Sequence, residues 1–183
     1  MGGLDFDTLK AEAAEVPLGA EGLLVPPYLA GERTPVFDPD ARGLGRRAHP
    51  AAQPRTSVPC GVRGHCVRDP AHPRSFDESA PYVTRTLAVG GGVNSPLWTS
   101  IVSDVTGRTQ LIPRETIGAC YGGALLAAIG VGPMDPKTDW AMIDHKVEPD
   151  RARRTRYDEL YRLRLEIYPA TREQMHRLGA WAK

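Results

Sequence analysis

An α/β domain is what this sequence predicts, on three observations. Runs of strand length at Leu23–Val25, Thr86–Val89 and Gln110–Ile112 alternate with segments of helical periodicity, which is the α/β pattern. Glycine and proline stand at the junctions between these runs. Leu97, Trp98, Ile101, Val102 and Val105 fall on one face of a helix, so at least one helix has a side to bury.

In chain order, "DFDTLKAEAAEV" reads as a short helix and "EGLLVPPYLAGERTP" as a buried extended run in which Pro26 and Pro27 end any regular ladder after Leu23–Val25. "FDPDARG" has turn chemistry, with Asp and Pro where the backbone folds back. Patterning then stops. From Leu44 to Phe76 the large apolar residues are Leu44, Val58, Val62, Val67 and Phe76, at neither helical nor strand spacing. Arg46, Arg47, Arg55, Arg63, Arg68 and Arg74 face a single acid, Asp69, and such a segment buries too little to offset its ordering entropy.

Order resumes with a buried strand at Thr86–Val89, followed by Gly90, Gly91 and Gly92. Ser95 and Pro96 form a cap and first helical position, because proline there gives up only an amide that would be orphaned anyway. Gly107 stops that helix, and Gln110–Ile112 is a further strand. "GACYGGALLAAIGVG" is a helix of small residues suited to close backbone packing, in which Cys120 reads as a buried small hydrophobe. Tyr157, Leu160, Tyr161, Arg164, Leu165 and Tyr168 form a helical stripe; Pro169 is expected to interrupt it, with a last short helix running to Trp181.

A chain of 183 residues is one ordinary domain or a piece of a larger one. With 23 basic against 22 acidic residues it has no electrostatic reason to seek nucleic acid or an anionic membrane. Arginine far exceeds lysine, present only as Lys10, Lys137, Lys146 and Lys183, which together with 17 prolines suggests a GC-rich gene. Three cysteines make no disulfide framework. With no charged-then-apolar leader and no apolar run near the roughly 18 residues that would cross a bilayer, the expectation is a soluble cytoplasmic protein.

The strand, three glycines and helix of residues 86–96 are the best local candidate for a ligand site. Glycines let a backbone approach a ligand closely, and the free amides at the helix start near Ser95 suit a phosphate. Spacing alone leaves plain packing as the alternative. Neither the Lys-Ser/Thr pair of a P-loop nor the partner acid of a dinucleotide fold accompanies it. "GERTP" offers Glu32 and Arg33, either as an acid and base at a substrate or as an ion pair shaping the loop; His145 and His176 read as ordinary surface residues.

"LLVPPYLAGERTPVFDPDARG", "AVGGGVNSPLWTSIVSDVTGR", "GACYGGALLAAIGVG" and a terminal "YDELYRLRLEIYP" occur in one order. Together they resemble the C-terminal domain of the FGGY carbohydrate kinases, the xylulokinase group most of all. "YLAGERTP" and "GGGVNSPLW" carry the specificity, and nearly everything but Leu44–Ser75 is covered. The resemblance implies a partial ribonuclease H-like, actin-like ATPase domain and transfer of the ATP γ-phosphoryl group to a ketose hydroxyl. It implies ATP or ADP with Mg²⁺ as cofactor. Carried over, Gly90, Gly91 and Gly92 would hold the nucleotide's phosphate and ribose, with Asn94 and Ser95 following beside the adenine; Asn94 reads equally as a turn residue. The family's catalytic aspartate, first phosphate loop and sugar pocket belong to an N-terminal half not represented here. No catalytic or metal-binding residue is therefore assigned, the sugar is a partner only together with that half, and no turnover is expected of this chain alone.

Three readings compete for "TSVPCGVRGHCVRDPAHP". Cys60, His65, Cys66 and His72 have zinc-ligand chemistry, but the spacing is not that of a knuckle, and adjacent His65 and Cys66 are awkward on one tetrahedral ion. The six arginines could form a basic arm, weakened by prolines and the lack of interleaved aromatics. The third reading is a displaced coding frame. Taking the last two bases of each codon with the first of the next, His65-Cys66 allows only Ile or Thr, Cys66-Val67 allows Ala or Val, and Val67-Arg68 allows Phe. From Val58 to Ala71 one allowed solution is "YRAVFEGIAFGIR", which resembles the helix the family carries at this point. The expectation is thus three parts: residues 1–43 starting the domain, an aberrant 44–75 lacking regular structure, and a nucleotide-binding remainder at 76–183. A non-catalytic α/β interaction module with a basic loop, or a degenerate gene product, stands as the alternative.

Overall fold

The computed structural model describes residues 6–22, 24, 26, 28, 30–33, 36–43 and 84–181. The segment 44–75, with its Cys/His/Arg cluster and proposed frame displacement, lies outside the described residues.

Helix α1, Phe6–Glu15, opens with Asp7 in its first turn, where negative charge meets the positive end of the helix dipole. It ends against a buried pair, Val16 and Ala20. The "GERTP" and "FDPDARG" segments form a hairpin: the Glu32 and Asp38 backbones exchange both hydrogen bonds at 2.8 Å. The turn that follows Asp38 is closed as the sequence predicts, by the Asp40 amide donating to Asp38 Oδ1 at 3.1 Å.

Helix α2, Pro96–Thr106, begins and ends as predicted. Ser95 is the N-cap, its Oγ accepting from the Trp98 amide at 3.4 Å; Pro96 opens the helix, and Gly107 closes it at φ 67. The predicted stripe faces inward, Ile101 and Val105 being buried against Tyr157, with Leu18, Leu24, Leu97, Trp98 and Leu160 around them. Because the cap bond is long, Ser95→Ala is expected to cost only about 0.5–1 kcal/mol, read as a lower denaturation midpoint in urea at unchanged slope.

Strand β1, Gln110–Pro113, pairs antiparallel with β2, Ile143–Val147, in the register Gln110↔Val147, Leu111↔Lys146 and Ile112↔His145, with an irregularity before Pro113. On the other edge of β1, Leu87 forms a parallel bridge to Leu111: the Ala88 amide donates to Leu111 O and the Leu111 amide to Thr86 O. Residues 86–88, α2 and β1 thus make a strand–helix–parallel-strand crossover, which is the α/β element the sequence predicts. The predicted burial at 86–89 is corrected: Leu87 and Val89 are 41% and 48% exposed. One bridge ties this segment to β1, and it makes an edge rather than an inner strand. Gln110 Nε2 donates to Thr99 O and Ser103 Oγ, and Ser103 donates to Val147 O, so polar bonds as well as apolar contact fasten α2 to the sheet.

Helix α3, Gly118–Gly130, forms where predicted, but no residue of it is buried. Cys120 is exposed, which corrects its reading as a buried hydrophobe. Small residues permit close packing without supplying a partner, and here no described element covers that face. Helix α4, Arg151–Trp181, is a single helix containing Pro169, so the expected interruption is corrected too. Proline 169 is exposed and withholds its amide from the carbonyl of Leu165, itself 49% exposed, so water can take the freed acceptor. The helix start is capped by Asp150, whose carboxylate accepts from the Ala152 amide, while the Asp150 amide donates to buried Asp104. Burial pushes the Asp104 carboxyl above its usual range, against the Asp150 amide and Arg153, which favour its charge. No helix among the described residues is long and apolar enough to cross a membrane.

Candidate functional site

The predicted glycines sit on the bend between the edge segment and α2. Gly90 adopts φ 92, a left-handed value that a side chain would strain, and its amide donates to Thr116 O at 2.7 Å. Gly91–Asn94 form one 3₁₀ turn whose first bond comes from the Val93 amide to Gly90 O, so the amides of Gly91 and Gly92 precede it. All three glycines and Asn94 are exposed. A Cβ on Gly90 or Gly91 would meet nothing within 4 Å; one on Gly92 would lie 3.3 Å from Trp98 Nε1. The bend is an open backbone surface with room above it.

The bend is joined to the head of α3. Besides the Gly90–Thr116 bond, a Cβ on Gly118 would stand 2.6 Å from Val89 Cγ2, so the Val89 side chain packs over residue 118 because it is glycine. Two small-residue stretches far apart in sequence therefore flank one exposed edge. Sequence reasoning named both stretches but did not join them; the bond between residues 90 and 116 has no local signal. Ser95 serves as the α2 cap, and Asn94 is the last residue of the turn, the structural role its type suggested.

The other candidates are placed elsewhere. Glu32 is buried in the hairpin, where its Oε1 accepts from the Arg33 amide at 2.8 Å, while the Arg33 residue is exposed. His145 lies on β2, exposed and hydrogen-bonded to Asp144, as a surface residue should. His176 is corrected: it reaches the buried carboxylate of Asp38 at 2.7 Å. A separate cavity of about 270 Å³ between residues 14–18, α2 and α4 is lined by none of the glycine-bend residues. Among the described residues no group of three or more His, Cys, Asp or Glu side chains could hold a metal.

Residues 3–131, which include the hairpin, the bend, β1 and α3, match the C-terminal domain model of the FGGY family of carbohydrate kinases. The chain belongs to that family. Its curated relatives include the xylulose kinase of Lactococcus lactis, 28% identical over 183 residues covering 96% of this chain and 36% of that protein. The gluconokinase of Bacillus subtilis is 28% identical over 147 residues, covering 73% and 26%. Among solved structures, the xylulose kinase of Rhodospirillum rubrum superposes with a TM-score of 0.76 at 30% identity, covering 93% of this chain and 34% of that one. The chain thus spans about a third of the length of the relatives it matches. Its fold class is that of the family, part of an α/β, actin-like ATPase domain. The match to residues 3–131 ends before β2 and α4, whereas the structural likeness covers most of the chain.

Proposed function

We propose that this chain is the nucleotide-binding portion of a sugar kinase, one that transfers the γ-phosphoryl group of ATP to a ketose such as xylulose. The observation that carries the reading is the open Gly90–Gly91–Gly92 bend within a segment matching the kinase family. A polyphosphate needs backbone it can approach without a side chain in the way, and Gly90 and Gly91 leave that space empty. In this reading Gly90, Gly91 and Gly92 hold the nucleotide, with Asn94 and Ser95 beside them. ATP supplies the transferable phosphoryl group, and Mg²⁺, for which no ligand is assigned here, offsets its charge. The cytoplasm, where ATP is plentiful, is part of the same proposal.

Xylulose is favoured as the sugar class because relatives named xylulose kinase cover most of this chain. Calorimetric titration with ADP and with a non-hydrolysable ATP analogue tests the nucleotide part: saturable binding supports it, and none at millimolar ligand removes it. Phosphoryl transfer depends on positioning both substrates and the metal together, and this chain spans only about a third of its relatives. The pure 183-residue chain is accordingly expected to show no xylulose-dependent ADP release in a coupled assay. Turnover above background would overturn that expectation. The displaced frame at 44–75 belongs to the proposal as well, and sequencing the coding DNA from Leu44 to Phe76 decides it.

A further inference from the structure

Two distant parts of the chain meet at one carboxylate. Asp38 is 4% exposed; its Oδ1 accepts from the Asp40 amide, and its Oδ2 is approached by three side chains of α4. Tyr168 donates its hydroxyl at 2.5 Å, His176 Nε2 lies at 2.7 Å and Arg172 Nε at 3.6 Å. These three stand at i, i+4 and i+8, one above another on the same helix face. Burial works against the Asp38 charge, but the Tyr168 and His176 hydrogen bonds outweigh it and hold the carboxyl down at about 2. Burial, then the bond to Asp38, pushes the Tyr168 phenol up, so it remains a donor at neutral pH.

Around this centre the apolar contact is small: Tyr28, Ala41 and Met175 are buried, and Tyr28 meets Tyr168 edge to face at 5.9 Å. Gly179 lies over Asp40 O and the Arg42 guanidinium. The other end of α4 is held differently, by Tyr157 in the α2 core. Between Tyr157 and Tyr168 lies the Leu165 carbonyl, the rung of the helix ladder that Pro169 cannot fill. Leu178 and Trp181 are 51% and 91% exposed, so among the described residues beyond the proline only Met175 and Gly179 are buried beside the carboxylate contacts.

We propose that Asp38, Tyr168, Arg172 and His176 form a latch fastening the C-terminal half of α4 to the Glu32–Asp38 hairpin, and that this half opens at Pro169 as a unit separate from the half packed on α2. The charged and titratable groups facing the latch are Glu32, Asp40 and Arg42 from the hairpin, Tyr28 from the preceding segment, and Tyr168, Arg172 and His176 from the helix. The sign of its acid dependence follows from Asp38. A carboxyl held below its ordinary value stabilises the closed form above the usual carboxylate range, and that contribution fades as pH falls from about 4 towards 2. At neutral pH the Asp38 carboxylate is charged, and removing the latch takes a substitution.

Hydrogen–deuterium exchange of the whole chain at pH 7 tests this. Asp38→Asn is expected to raise exchange across residues 170–181 about tenfold or more, with less than about twofold change in 96–106 and 151–161. Tyr168→Phe, which removes one bond and leaves the carboxylate paired, is expected to give about threefold or more in the same window and serves should Asp38→Asn fail to fold. Unchanged exchange at 170–181, or an equal rise in both halves of α4 and in α2 with whichever variant folds, would overturn the proposal.

Discussion

Gly91→Val is expected to weaken nucleotide binding about 10- to 100-fold, or ~1.4–2.8 kcal/mol, while leaving the folded state's stability nearly unchanged. The three glycines of the bend differ in what a side chain would do to the free protein. At Gly90, φ 92 would strain any L-residue by about 1–2 kcal/mol. At Gly92 a Cβ would press on the Trp98 indole at 3.3 Å, and Trp98 borders the α2 core. At Gly91 it meets open space and the backbone is not left-handed, so a branched side chain there obstructs only what approaches from outside. Titration with ADP read beside a thermal melt separates the two effects. Equal affinity in Gly91→Val and the parent chain would place the nucleotide elsewhere and leave family membership untouched.

How much of this was legible in the sequence depended on whether the partner of each residue was local. The Ser95–Pro96 start and Gly107 stop of α2 were readable because a helix end is solved by residues within one turn of it. The "FDPDARG" turn was readable for the same reason, Asp38 satisfying the Asp40 amide two residues on. Strand β2 was not: "IDHKV" has three polar residues out of five, all exposed, so there was no apolar alternation to see. The role of His176 had no local signal, its acceptor lying 138 residues away. A weaker signal was present, since extending the helical stripe beyond Tyr168 in steps of four gives Arg172 and then His176, a polar row in line with it. Cys120 and the edge strand were misjudged in burial because composition states what a segment can bury, not whether anything covers it. Of the candidate site, the glycine bend was legible and its attachment to residues 116–118 was not.

Gly31→Ala should be among the most damaging single-methyl additions in the chain, at about 3–5 kcal/mol. "GERTP" invites a catalytic reading of its charged pair, yet the structure makes its glycine the constrained position. Gly31 has φ 89, and a Cβ there would lie 2.7, 2.9 and 3.0 Å from the O, Cα and C of Pro39. These are backbone atoms, and they cannot swing aside as a side-chain end could. The neighbouring rung holds them through the two Glu32–Asp38 hydrogen bonds, and Asp38 is itself gripped from α4. Relief would therefore have to break hairpin bonds worth about 0.5–1.5 kcal/mol each, on top of about 1–2 kcal/mol for a left-handed alanine. Gly179 provides the contrast, because a Cβ there would stand 3.2 Å from Asp40 O and otherwise meet the Arg42 side chain, which can yield. Against a typical total of about 5–15 kcal/mol, the loss at Gly31 would leave a substantial unfolded fraction. Urea denaturation followed by circular dichroism measures it, and a change below about 1 kcal/mol would mean that the hairpin shifts freely instead of being pinned between Glu32 and the C-terminal helix.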